Sequence, residues 1–171
     1  MVLRAYPGPE LHAADFHTGE VMDECLSGMA SRLFERVRED KGLAYFVRSA
    51  RVTGLRSGMF SFLAGTQPGK EAEVLAEIDA EIARVAAGGV DAEELARCQT
   101  RLKAARRQSL QTPSARAMQA GLNALQGFDI NDWRQYDAKV EGVSIPMLAA
   151  FARDRFRPEL SLQLVVRPGP V

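Results

Sequence analysis

At 171 residues the chain is one domain long, and its 46% hydrophobic and 26% charged residues are ordinary for a soluble globular protein with a core of useful size. The formal net charge of zero argues against a nucleic acid or an anionic membrane held by bulk charge. No apolar run approaches the ~20 residues needed to span a bilayer, and the N-terminus lacks the long apolar segment of a signal peptide.

Val2 to Tyr6 reads as a short strand closed by Pro7-Gly8-Pro9. Asp15 is placed to cap a helix running to about Ser27, with Val21, Met22, Cys25 and Leu26 facing inward, and Gly28 interrupts it. From Ser31 a second helix puts Leu33, Phe34 and Val37 on one face and charges on the other. Gly42 stops it, because glycine takes the left-handed terminal conformation without a Cβ clash. Strands follow over Ala44 to Thr53 and Gly58 to Thr66, joined by a hairpin loop. The second is apolar on both faces, as for a strand near the middle of a sheet; the first carries Arg48 and Arg51 and reads as nearer an edge or a cleft.

Helices dominate the remainder. Glu71 to Ala87 spaces Leu75, Ile78, Ile82 and Val85 helically, and Gly88-Gly89 ends it. Asp91 with Glu94 is a capping-box-like start for a helix burying Leu95, Cys98 and Leu102. Thr112-Pro113 begins another, with Met118, Leu122 and Leu125 as its buried stripe. A short helix from Asn131 or Asp132 holds Trp133 and Tyr136, which read as core residues. Ser144 caps a helix with Leu148, Phe151 and Ala152, Arg157-Pro158 ends it, and Leu160 to Val166 is a final strand. This order predicts an α+β two-layer sandwich: a mostly antiparallel sheet of about four strands with helices on one face, forming a single domain over 1–171. Cys25 and Cys98 read as buried free thiols, with a disulfide as the alternative.

The stretch around Gly42 carries the chemistry. Arg38 lies one turn after Phe34 beside the apolar stripe, and Tyr45 opens the next strand. The turn between them brings a guanidinium and a phenol to one end of the domain, pointing outward. The run SRLFERVREDKGLAY closely resembles the signature of the second half-domain in the pitrilysin, insulinase and mitochondrial processing peptidase family. These are zinc metallopeptidases with an inverted H-x-x-E-H motif, and family members carry an Arg and a Tyr seven residues apart, as Arg38 and Tyr45 are here. The resemblance runs more loosely over most of the chain. It implies the LuxS- and processing-peptidase-like half-domain fold and a tight turn between two helices at Gly28, Met29 and Ala30. It also implies substrate binding by Arg38 and Tyr45, and transition-state stabilisation by Tyr45.

A zinc centre for hydrolysis needs two histidines on one helical face, a third ligand and a carboxylate to activate water. The chain has two histidines, His12 and His17, five apart in a segment broken by Pro and Gly, and His17-x-x-Glu20 is not an H-x-x-E-H motif. No metal is therefore expected on this chain. The resemblance places zinc on a catalytic H-x-x-E-H half-domain, fused or separate, closing with this one as a clamshell around a peptide substrate. The isolated chain is then expected to pair with itself through the surface meant for that half. A proteolytically inactive scaffold subunit of the same fold is the second reading, and a small interaction domain with no catalytic history the third. The basic cluster Arg97, Arg101, Lys103, Arg106 and Arg107 reads as the wet face of a helix rather than a peptide-binding surface, and no phosphate loop is present.

Overall fold

The computed structural model describes residues 1–28 and 31–167. Four strands, β1 (Val2–Gly8), β2 (Ala44–Thr53), β3 (Gly58–Thr66) and β4 (Leu162–Val165), form one antiparallel sheet in the order β2-β3-β1-β4. The helices are α1 (Phe16–Leu26), α2 (Arg32–Phe34), α3 (Glu71–Ala86), α4 (Ala92–Ser109), α5 (Pro113–Leu125), α6 (Tyr136–Glu141) and α7 (Ile145–Arg155). Helices α1, α3 and α7 lie on one face of the sheet, and α4 and α6 pack against α1. The expected α+β fold is thus formed, with β3 central and β2 at an edge as its arginines suggested. Among the described residues no helix is long and apolar enough to cross a membrane.

The alternation of each strand decides what meets the helices. Val2 and Tyr6 on β1, Phe60, Phe62 and Ala64 on β3, and Val47 on β2 point inward and are buried. Phe156, just after α7, sits among their rings, 4.8 Å from Phe60, 5.2 Å from Tyr6 and 5.5 Å from Phe62 by ring centroid. Among the described residues the opposite face carries no helix. There Leu3 lies opposite both Leu63 and Leu164, and Val52 opposite Met59, with Val52, Met59, Leu162 and Leu164 exposed.

Several local expectations are corrected. Pro7 and Gly8 do not close β1 but stay in register with Met59 and Gly58, because the proline lies where the strand runs out. Asp15 makes no cap bond; its carboxylate accepts from Arg155 at 2.7 Å and ties the start of α1 to the end of α7. Ser144 makes no side-chain cap either. At α4 the capping box is one-armed: Asp91 accepts from the Glu94 N–H at 2.7 Å, but the Glu94 carboxylate turns to Arg84 instead of returning. The final strand is shorter than expected, since Pro158–Leu160 forms a 3₁₀ turn. The stripe Met118, Leu122, Leu125 is exposed, not buried, and Asn123 is the buried residue of α5. Trp133 is half-buried in a pocket wall rather than in the core, whereas Tyr136 packs against the core edge. Of the tight turn expected at Gly28, Met29 and Ala30 lie outside the described residues. Cys25 and Cys98 are buried free thiols facing each other from α1 and α4; their mutual hydrogen bond, reinforced by burial, pushes the Cys25 thiol up.

Candidate functional site

The segment Ser31–Thr53 builds the site out of two irregularities. Ser31 starts the helix: its Oγ accepts from the Phe34 N–H at 3.2 Å and donates to the Gly28 carbonyl at 2.9 Å. After one α turn, Arg32–Phe34, the chain widens into a π-helix over Glu35–Asp40. Lys41 N–H then reaches back to Arg36 O at 3.2 Å and Leu43 N–H to Val37 O at 2.8 Å. Gly42 reverses the chain at φ +56°, a conformation that favours glycine. The second irregularity follows at once. Ala44 pairs with Thr66 and Phe46 with Gly65, so Tyr45 is an extra residue, a β-bulge in the edge strand. The bulge breaks the strand's alternation: Ala44 and Val47 are buried while Tyr45 and Phe46 both face out.

The result is a small outward-facing platform. The Arg38 guanidinium lies 5.0 Å from the Phe34 ring centroid and 5.7 Å from that of Tyr45, between two aromatic rings. Tyr45 is 82% exposed, and the Arg38 side chain 42%. The only carboxylate against Arg38 among the described residues is Glu39, at 3.5 Å. The two residues singled out in the sequence are therefore neighbours, both reachable from solvent.

Two supporting contacts were not legible in the sequence. Glu77 on α3 holds both ends of the π-helix: Oε1 lies 2.5 Å from Lys41 Nζ, and Oε2 lies 2.9 Å from Arg36 Nη2. The hydrogen bond from Lys41, with burial working against it and the Arg36 charge adding to it, holds the Glu77 carboxyl below its usual range. With the folded pKa depressed, this clamp contributes in full above the unfolded value of about 4.3 and is lost as pH falls through the folded value. We expect Glu77→Gln to lower the unfolding midpoint at pH 7, and the gap to wild type to close below about pH 4. An unchanged gap between neutral and acid pH would remove Glu77 from this role.

The second contact is Gly65, opposite Phe46. A Cβ there would stand 2.5 Å from the Phe46 ring, so any larger residue on the neighbouring strand has to displace that ring. Gly65→Ala should cost about 1 kcal/mol or more of stability in urea unfolding, with Phe46→Ala in the same chain recovering part of it. Strict additivity of the two substitutions would count against the contact.

The other polar candidates are accounted for structurally. Arg97 pairs with Glu93, Arg101 with Glu24, Lys103 with Glu141 and Arg107 with Asp137, as expected for a wet helix face. His12 stacks on Phe128 at 4.5 Å, and His17 Nδ1 sits 2.8 Å from Glu20. The two histidines thus have separate partners and do not fit a zinc centre, and no group of three or more metal-ligating side chains occurs among the described residues.

Comparison with known proteins identifies the family. The sequence model of the family described as the peptidase M16 inactive domain matches residues 1–102. The chain belongs to that family, the one its Ser31–Tyr45 signature pointed to. It is 31% identical over 140 residues to an uncharacterized zinc protease of Streptomyces coelicolor, SCO5738, covering 79% of this chain and 30% of that protein. It is 28% identical over 150 residues to an uncharacterized zinc protease of Bacillus subtilis, YmxG, covering 87% of this chain and 37% of the other. The chain thus spans well under half the length of these relatives. In fold it is similar to a protease from Helicobacter pylori, with a TM-score of 0.87 at 23% identity over 98% of this chain and 41% of that one. It is similar also to the inactive peptidase domain of a candidate zinc protease from Bordetella parapertussis, with a TM-score of 0.85 at 19% identity over 98% and 92% of the two chains.

Proposed function

We propose that this inactive domain is the substrate-binding, non-metal half of a zinc-dependent peptidase, acting in trans on a peptide held against a catalytic H-x-x-E-H half. The observation that carries this is the exposed Arg38–Tyr45 pair, joined across Gly42 and stacked ring against guanidinium. When a peptide carbonyl is attacked, negative charge grows on its oxygen, and a donor already aimed at that oxygen lowers the barrier. The Tyr45 hydroxyl donates to no group among the described residues and is available for this. The Arg38 fork suits a neighbouring backbone carbonyl or carboxylate of the same peptide, because its donors lie in a fixed plane. Stacking between Phe34 and Tyr45 fixes that plane without using up the N–H groups. Zinc on the other half supplies the activated water.

The helix-free sheet face supports the same reading. Leu3, Phe46, Val52, Met59, Leu63 and Leu164 share this face, with Arg48 opposite Leu63, and apolar side chains gathered on one face mark a surface for a partner. In the assembled enzyme it packs against the catalytic half; in its absence two copies of this chain pair through it. The test is reconstitution. Mixed with its H-x-x-E-H half, the chain should restore peptide hydrolysis that neither part shows alone, and Arg38→Ala should raise KM for the peptide. An active catalytic half that is indifferent to this chain would overturn the proposal, and strictly monomeric elution of the isolated chain at high concentration would count against the sheet face.

A further inference from the structure

Six arginines, Arg48, Arg56, Arg106, Arg116, Arg134 and Arg153, have no carboxylate within 4 Å among the described residues. Three of the six, Arg106, Arg116 and Arg134, line a single pocket of about 380 Å³ together with Arg107, Trp133 and Asp137. Arg107 is already matched by Asp137 at 2.5 Å. The pocket therefore carries an excess of three positive charges in a chain whose formal net charge is zero.

The arginines are held in place with donors to spare. Arg116 Nε donates to the Leu110 carbonyl at 2.8 Å and Nη2 to the Gln111 carbonyl at 3.4 Å, across the end of α4. Arg106 donates from Nη1 to Gln119 Oε1 at 3.1 Å and lies 5.3 Å from the Tyr136 ring centroid, while its buried Nε meets no acceptor. Arg134 rests 5.3 Å from the Trp133 ring centroid. Each guanidinium has five N–H donors, so most of those here are uncommitted. A concave cluster of like charges is unfavourable. An anion with several acceptor oxygens relieves the repulsion and pairs with the uncommitted Nη donors.

We propose that this pocket binds a phosphate-type oxyanion, free or at the end of a small molecule. An excess of three charges matches a multiply charged phosphate or pyrophosphate better than a single carboxylate, and guanidinium forks pair with phosphate oxygens bidentately. The volume is at the small end for ligand sites, enough for such a group and too little for a folded partner. The site is also remote from the Arg38 platform. Helix α4 starts beside Arg32, with Asp91 3.9 Å away, and Arg106 comes fifteen residues later, about 22 Å along the axis. The proposal therefore does not depend on the peptidase reading.

Trp133 is the chain's only tryptophan and stands in the pocket wall, so its emission reports occupancy. Pyrophosphate titrated into the 171-residue chain, at ionic strength held constant with chloride, should change that emission saturably with a Kd of about 1 mM or tighter. It should also raise the unfolding midpoint. Arg134→Gln, which removes no backbone contact, and Arg116→Gln should each weaken binding by about tenfold or more. Arg56→Gln, an unpaired arginine elsewhere, should leave it unchanged. Inorganic phosphate and ATP run in parallel separate a free ion from one carried on a small molecule, and saturable, Arg134-dependent binding of either supports the site. No saturation by about 10 mM, equal affinity in the Arg134 and Arg116 variants, or tighter binding of a polyglutamate peptide would overturn it.

Discussion

On the proposed reading, Tyr45→Phe in the chain assembled with an H-x-x-E-H half is expected to lower kcat by about a hundredfold or more, as removal of a single oxyanion donor does elsewhere. The substitution keeps the aromatic ring under the Arg38 guanidinium and removes only the hydroxyl. Because Tyr45 is 82% exposed and its hydroxyl bonds to nothing in this chain among the described residues, the unfolding midpoint should not move. An interaction made only in the transition state lowers kcat and kcat/KM together, whereas loss of a ground-state contact raises KM at constant kcat. Tyr45→Phe should show the first pattern and Arg38→Ala mainly the second. Turnover within about twofold of wild type in Tyr45→Phe would remove the hydroxyl from catalysis, even if the two halves still assemble.

What made this pair legible in the sequence, and what did not, follows from how each element is specified. Helix α3 and strand β3 were readable because burial imposes a period: Leu75, Ile78, Ile82 and Val85 recur helically, and Phe60, Phe62 and Ala64 recur every second residue. The Arg38–Tyr45 spacing was read from a motif, and its placement at a glycine reversal from Gly42. Neither the π-helix over Glu35–Asp40 nor the bulge at Tyr45 has a sequence period of its own. Both depend on distant partners, Glu77 clamping Arg36 and Lys41, and Gly65 making room for Phe46. Periodicity also misled at α5, where Met118, Leu122 and Leu125 fall on one face as a core stripe would, yet that face is exposed. An apolar stripe records that a face is to be covered, without saying by which chain. In the reading proposed here, the same ambiguity explains the uncovered sheet face. The basic run on α4 was correctly read as wet for its paired members, but Arg106 differs from Arg107 only through the fold, which brings Arg116 and Arg134 beside it.

Arg84→Ala should be among the most damaging single substitutions in the chain, costing about 3–5 kcal/mol of stability. Arg84 is itself largely buried and sits between two buried carboxylates, with Nη2 2.7 Å from Glu81 Oε1 and 3.0 Å from Glu94 Oε1. It also donates to the Gly89 carbonyl, so one side chain joins α3, the turn after it and the first turn of α4. Removing it leaves two negative charges buried without a partner, a larger loss than the pair's net worth. For a domain of this size the midpoint should fall on the order of 10 °C. Two further measurements separate this cause from lost packing. Orphaned carboxylates take up protons more readily in the folded than in the unfolded chain, so the deficit of Arg84→Ala should shrink as pH is lowered. Neutralising all three groups, as Arg84→Met with Glu81→Gln and Glu94→Gln, should recover most of the loss, since the buried charge is then gone. A deficit that is independent of pH and persists in the triple variant would show instead that the Arg84 stem, rather than its charge, holds α3 to α4.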